Sequence, residues 1–365
     1  MITANKGGWA ELYISAVGVR EGFIPLIDEG MNEIEGAGVE VLGVRREGSD
    51  LTCWRNFREG TIDLTDARGV TIRATPLDRF GRDTRRLLSD IEQGQGPSFG
   101  SEAGRRAMRA LGYTQVQAGT RRKADLEFIL RNQRTGRREN ARFSAKSIFS
   151  SSMPTILNSS AATTVRMAVR GLDWRRAKMA EKMASGPIGR VKAVRQLGGD
   201  IFPHSFLDPV FHENLRMVDE VCPVLFLEIA RQYARGEVPR FSFLVDALMR
   251  NAKIVRRYKL TKPLVVDKIC RLLAAAALGM TPGTLWDGTH AANGGMLILD
   301  NSGRVCLLDF ADRDHLHRFL LSSTKLDCPS PNRLPSGTMV RIGEQVMMDF
   351  NFQIRWASQD QQRES

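Results

Sequence analysis

No stretch of this 365-residue chain stays apolar for the length of a membrane crossing, which takes about 20 residues of helix. The most apolar helical stretch, Leu264 to Leu278, carries Asp267, Lys268 and Arg271 and therefore reads as a core helix. The N-terminus lacks the charged-then-apolar pattern of a secretion signal. Cysteine is sparse: Cys53, Cys222, Cys270, Cys306 and Cys328 are odd in number and scattered, with no pair at metal-ligand spacing. This excludes a zinc module and a disulfide framework, and leaves small buried hydrophobes in a reducing compartment, for which we expect the cytoplasm. His315-Leu-His317 has no third ligand at a suitable distance along the chain. No Gly-x-x-x-x-Gly-Lys-Ser/Thr loop is present, so nothing points to nucleotide-driven translocation.

What the chain does have is positive charge. The formal net charge is +12, with 53 Lys and Arg against 41 Asp and Glu. Such a balance favours partners of dense negative charge, nucleic acid first and an anionic membrane surface second. With 42% hydrophobic and 26% charged residues the chain is folded rather than disordered, and long enough to bury a large core.

Trp9, Leu12, Tyr13 and Ala16 recur at helical spacing, so a helix opens the chain after Lys6-Gly-Gly8. Short strands are expected near Val39 to Arg45 and Thr61 to Arg73, a loop over Gln93 to Gly100, and a basic helix over Arg105 to Leu111. Met153 to Ser160 reads as extended, and Ala161 to Val169 as a helix. From Arg170 to Thr261 the pattern is mainly helical and basic, with helices over Trp174 to Met183 and Val224 to Tyr233. A further helix puts Arg250, Lys253, Arg256 and Arg257 on one side. Thr261 and Pro263 suit a helix start and Gly279 its end. Strands follow at Met296 to Asp300 and Val305 to Phe310, then a helix at Asp312 to Leu321 and a hairpin at Met339 to Trp356. The tail 357–365 is expected to fray.

The most informative segments are Asp125 to Leu130 and Arg142 to Ser147, both alternating polar and apolar residues around a basic turn at Arg134 to Arg138. Leu126, Phe128 and Leu130 share one face, as do Phe143 and Ala145 on the second strand. If those faces coincide, Asp125 and Glu127 meet Ser144 and Lys146 on the other side. Phosphodiester hydrolysis needs a nucleophilic water and stabilised charge on phosphate, tasks for divalent ions fixed by carboxylates and for a nearby cation. Asp125 as ligand, Lys146 as cation and the Ala145 carbonyl as a further oxygen suit magnesium, which keeps several of its own waters. A solvated polar face of an ordinary hairpin is the competing reading.

Arg142-Phe-Ser-Ala-Lys-Ser-Ile148, followed by Pro154 to Thr163, resembles the central block of the HpaII-type restriction endonucleases. The likeness recurs, in family order, at Lys6 to Tyr13, Leu278 to Pro282, Trp286 to Gly288, Gly294-Gly295, Thr324 to Ser330 and Asn351 to Trp356, with no match over Arg170 to Thr261. It implies a type II restriction enzyme of the PD-(D/E)xK class in a prokaryotic cytoplasm, cutting double-stranded DNA with magnesium at a short palindromic site, CCGG or a relative. The implied fold is α/β: a mixed central sheet flanked by helices, with helical and β additions. It implies one endonuclease domain over 1–356, with a catalytic core at 1–170, the basic helical region at 171–261 and an α/β part at 262–356.

By position, Asp125 corresponds to the class aspartate and Lys146 to its lysine, while Ser144 stands where many relatives of the class carry Glu or Asp. For the second carboxylate and metal ligand the resemblance favours Glu11 on the opening helix, ahead of Glu127; a plain surface glutamate is the alternative. Asn158, Ser159 and Ser160, and Lys325, Ser330 and Arg333 in a loop over Thr324 to Arg333, are candidate DNA contacts, with turn or capping roles as the alternative. Arg250, Lys253, Arg256 and Arg257 suit phosphate contacts, against a solvated helix face. Palindromic cleavage favours a homodimer, or a monomer nicking twice. A companion DNA methyltransferase is implied genetically, not as a physical partner. The rival readings are a catalytically inactive, sequence-specific DNA-binding protein of the same fold and an RNA-binding structural protein, which the charge alone permits. A methyltransferase is excluded, because neither a glycine-rich cofactor loop nor a Pro-Cys or Asp/Asn-Pro-Pro-aromatic motif is present.

Overall fold

Asn5 opens the first helix: its side chain accepts the Gly8 N–H at 2.8 Å, and α1 (Lys6–Glu21) closes on Gly22 in the left-handed region at φ 70°. The apolar positions expected of this helix, Trp9, Leu12, Tyr13 and Ala16, are all buried. The structure, a computed structural model, describes residues 2–46, 48–116, 124–132, 135–149, 153–329 and 336–357. It divides into two compact units, Met1–Pro154 with His290–Leu316, and Thr155–Thr289 with His317–Ser365.

The first unit begins with β1 (Thr3–Ala4), α1, β2 (Phe23–Ile27), β3 (Glu33–Arg45), β4 (Thr52–Asn56), β5 (Thr61–Thr65) and β6 (Thr71–Pro76). It continues with α2 (Leu77–Gln93), β7 (Phe99–Gly100), α3 (Glu102–Leu111), β8 (Leu126–Arg131) and β9 (Arg138–Ser147). The second unit starts with β10 (Thr155–Leu157), β11 (Thr164–Arg170), α4 (Trp174–Met183), α5 (Pro187–Gln196), β12 (Asp200–Phe206) and α6 (Pro209–Val218). Then come α7 (Cys222–Ala234), α8 (Phe241–Met249), α9 (Ala252–Arg257) and α10 (Lys262–Leu278). The chain returns to the first unit for β13 (Gly295–Leu299) and β14 (Val305–Asp309). It ends through α11 (Arg313–Ser323), β15 (Thr324–Asp327), β16 (Thr338–Ile342), β17 (Gln345–Asn351) and β18 (Gln353–Trp356).

In the first unit the sheet order is β2-β14-β13-β9-β8-β3-β4-β5-β6, and β2 also pairs with β3. The mixed sheet anticipated from the sequence therefore closes into a ring of six strands, with β4 to β6 added outside β3. Ring closure depends on the length of β3, whose first half pairs with β2 and whose second half pairs with β8 and β4. Gly38 makes the closure sterically possible: a Cβ there would stand 2.2 Å from the Phe23 ring and 2.5 Å from the Ile24 carbonyl oxygen. Strand β9 runs antiparallel to β8 and parallel to β13. The apolar faces of the hairpin do coincide, with Leu126 directly opposite Phe143. Phe128 and Phe143 are fully buried, with ring centroids 5.7 Å apart, each burial stabilising by roughly 1.5–3 kcal/mol. Helix α1 packs over this face at Gly18, where a Cβ would approach Phe128 to 2.8 Å.

In the second unit β12-β11-β17-β16 form one antiparallel sheet and β10-β18-β15 another. Buried Asn351 donates to the Ser160 carbonyl and the Thr164 hydroxyl, which ties the segment after β10 to the end of β17. Helix α10 starts and stops where its sequence suggests, capped by Thr261 and closed at Gly279.

Four expectations are corrected. Residues 161–169 are a short 3-10 turn and the strand β11, not a helix. The β-branched residues Thr164, Val165 and Val169 favour a strand, and β12 and β17 hydrogen-bond to it on both sides. A 17-residue helix, α2, stands where the sequence reading assigned none; Phe80, Leu87 and Ile91 form its buried stripe. The hairpin expected over Met339 to Trp356 is confined to β16 and β17, and β18 pairs instead with β10 and β15. The arginine-bearing helix is broken: α8 ends at Met249, and Arg250 caps it before Asn251 starts α9. No described helix is long and apolar enough to cross a membrane.

Candidate active site

Strand β8 begins at Leu126, one residue after Asp125, while its antiparallel partner β9 runs on past that point to Ser147. The N–H of Ile148 bonds to the Leu299 carbonyl, and that of Gly294 to the Arg142 carbonyl, so the even-numbered residues of β9 turn their backbone groups toward β13. The odd-numbered ones turn to the β8 side, where the Asp125 N–H meets the Phe143 carbonyl at 2.9 Å. Where β8 has not yet begun, the Asp125 side chain continues the ladder: its Oδ2 accepts the Ala145 N–H at 2.8 Å. The N–H and C=O of one strand residue point the same way, so the Ala145 carbonyl also faces this edge. The Ser144 hydroxyl, fully buried, lies 3.4 Å from the same Oδ2. Lys146 stands two residues further along on the Ser144 face, half-buried and opposite Ile298 of β13. Asp125, Ser144, Ala145 and Lys146 are thus brought together.

Glu127 faces the same side but is buried and salt-bridged by Arg45, its register partner on β3. That pairing occupies it structurally, and sequence spacing gave no sign of it because the two residues lie on separate strands. Glu11 is half-buried on α1, in the same unit. Its charge acts on Tyr113, where burial pushes the phenol up to about 12 and Arg46 pulls it down. The Arg46 guanidinium lies 4.5 Å over the Tyr113 ring. Among the described residues no three His, Cys, Asp or Glu side chains gather as a metal-binding group. The donors at Asp125 and Ala145 are hard oxygens, which suit magnesium, and its habit of keeping water ligands needs only a few protein groups.

The remaining candidate contacts belong to the second unit. Asn158 is exposed, and Ser159 is buried with a hydroxyl that has no hydrogen-bond partner among the described residues. The backbone N–H of Ser160 donates to the Thr163 hydroxyl, a turn role. Lys325 does not sit in a loop: it lies within β15, opposite Arg355 and bridged to Arg240. Ser330 and Arg333 lie outside the described residues. Arg250, Lys253 and Arg256 line one cavity of the second unit, but Arg257 does not; its guanidinium lies 5.5 Å over the Tyr258 ring. The cavity also takes in Arg170, Arg195, Arg231 and Arg235, which sequence spacing could not unite because they come from separate elements.

Residues 5–356 match the sequence model of the family described as HpaII restriction endonuclease, and the chain belongs to that family. A curated relative, the "Type II restriction enzyme HpaII" of Haemophilus parainfluenzae, is 22% identical over 361 residues, which cover 97% of this chain and 98% of that enzyme. No solved structure matches the chain.

Proposed function

We propose that this protein is a type II restriction endonuclease of the PD-(D/E)xK class, hydrolysing phosphodiesters of double-stranded DNA at a short palindromic site of the CCGG kind. The observation that carries the reading is the Asp125 carboxylate held on the Ala145 N–H beside Lys146, in a chain of this family. Asp125, the Ala145 carbonyl and Glu11 are the groups assigned to hold magnesium. When bound, the ion supplies charge neutralisation and a lowered pKa for the attacking water. The Ala145 N–H and the Ser144 hydroxyl fix the orientation of the carboxylate. The ammonium of Lys146 orients the water and offsets negative charge growing on the phosphate oxygens. Ser144 replaces the carboxylate usual in the wider class, which leaves Glu11 as the second acid. Both units are assigned to one endonuclease over 1–356, acting as a homodimer on its palindrome.

The test is digestion of unmethylated plasmid by purified protein with and without magnesium, alongside Lys146→Ala. Discrete fragments that require both metal and Lys146 support the reading, and their ends give the site. Tight duplex binding with no cutting under any divalent metal would instead make the protein an inactive relative.

A further inference from the structure

Seven cationic side chains, against two carboxylates, line a single cavity of about 830 Å³ in the second unit. Three of the cations are already held. Arg231 donates to the Ile201 carbonyl at 2.7 Å and pairs with Asp200 at 3.4 Å and with the fully buried Glu228 at 3.3 Å. Arg235 also reaches Asp200, at 3.6 Å, and Arg250 meets Glu237 at 2.8 Å.

The other four, Arg170, Arg195, Lys253 and Arg256, have no carboxylate partner among the described residues, and all four are exposed. Arg170 lies 4.7 Å over the Phe202 ring, and Arg231 lies 5.0 Å from the same ring. Arg256 donates its Nε–H to the Ala252 carbonyl at 3.2 Å, within its own helix. A solvated helix face spreads its cations along one element. Here they converge from β11, α5, α7 and the α8–α9 segment on one concavity, a concentration of positive charge that favours an anion.

We propose that this cavity receives consecutive phosphates of a nucleic-acid backbone, an assignment that rests on the DNA-directed reading above. Guanidinium forks match phosphate oxygens in pairs, and the cavity is larger than one phosphate needs. Its two amide side chains are already engaged: Gln232 donates to Glu228 and Asn251 caps Ile254. With seven cations and only these two part-engaged amides, the lining suits phosphate contacts, which position a backbone without specifying sequence.

The experiment is duplex binding by the full-length protein in magnesium-free buffer, followed by fluorescence anisotropy across a salt series. The comparison is with R170Q/R195Q/K253Q/R256Q, in which every exchanged side chain is exposed. Each lost phosphate contact lowers the slope of log affinity against log salt by about 0.9. The expected result is a slope smaller by about 2–4 and at least about tenfold weaker binding near 0.1 M salt, equally on unrelated sequences. Should the fourfold variant misfold, Arg195→Gln and Lys253→Gln alone should each lower the slope by about 0.9. An unchanged slope, or a wild type that binds no duplex, overturns the proposal. So does a wild type stabilised by inorganic pyrophosphate when the variant is not and duplex binding is equal in both, for the occupant is then a free phosphate. Binding is read without cutting, so a protein that binds through the cavity yet never cleaves sinks the nuclease reading alone. A protein that cleaves with an unchanged slope sinks only this one.

Discussion

Asp125 takes the backbone N–H of Ala145 at 2.8 Å, just before β8 begins and beside the stretch of β9 that runs beyond it. A side chain there does the work of a strand residue. Its orientation is therefore set by the sheet itself and not by a mobile loop, the kind of support a reactive carboxylate needs to be held in one geometry.

Lys146→Ala should lower cleavage by about 10²–10³-fold or more, since its role lies where charge develops in the transition state. Duplex affinity should stay within about threefold. Single-turnover cleavage and anisotropy measured on the same preparation check this, and normal cutting would remove Lys146 from the site.

Glu11→Gln should weaken the magnesium dependence, so that half-maximal cleavage needs a higher metal concentration, or should lower the rate at saturation. A metal titration of cleavage tests it. If the variant behaves as wild type, Glu127 is a poor replacement because Arg45 already holds it, and a backbone oxygen or water takes the place.

Gly18→Val should destabilise the first unit by about 1–3 kcal/mol through overpacking, because even a Cβ at this position comes within 2.8 Å of the Phe128 ring. Adding Phe128→Leu should recover part of that loss, while Phe128→Ala alone should cost about 3–5 kcal/mol. Urea titrations of Gly18→Val, Phe128→Leu and the double variant decide, and strictly additive effects would disprove the contact.

Asp219 offers a pH test. Burial would raise its carboxyl, but Lys268 and Arg271 outweigh it and hold the group below its ordinary value of 3.8. A carboxyl depressed in the folded state contributes stability above its unfolded pKa, and loses it as pH falls through the folded one. Asp219→Asn should therefore be less stable at neutral pH by about 1.5–3 kcal/mol, and the gap should narrow as pH falls below 3.8. Melting curves across pH measure it; a constant gap would contradict the pairing.

The hairpin was legible because period-two alternation and burial speak together: Phe128 and Phe143 go inward, and Asp125 and Lys146 are left on the other side. The bounds of α10 were legible for a similar local reason, its capping Thr261 and terminal Gly279. Strand β11 was not, since Ala161-Ala162 before it and Met167-Ala168 within it are good helix formers, and its β-branched residues decide only together with the pairing to β12 and β17. Helix α2 was hidden by its many arginines and aspartates, although Phe80, Leu87 and Ile91 already stood at helical spacing. At the candidate site the positions along one hairpin could be read, but the Arg45 lock on Glu127 and the gathering of Arg170, Arg195 and Arg231 could not. Those depend on which strands and helices become neighbours, and no local pattern carries that information.

The ring in the first unit is assembled from two distant pieces of chain, since β9 takes its second partner from residues 295–299. A polypeptide still emerging from the ribosome therefore carries Asp125 and Lys146 long before β13 and β14 exist to brace them. Domains fold as units during synthesis, and this one cannot close until about five-sixths of the message has been translated. Fragments ending before residue 295 lack the strand that pairs with β9 along Phe143 to Ser147, and so cannot complete the ring.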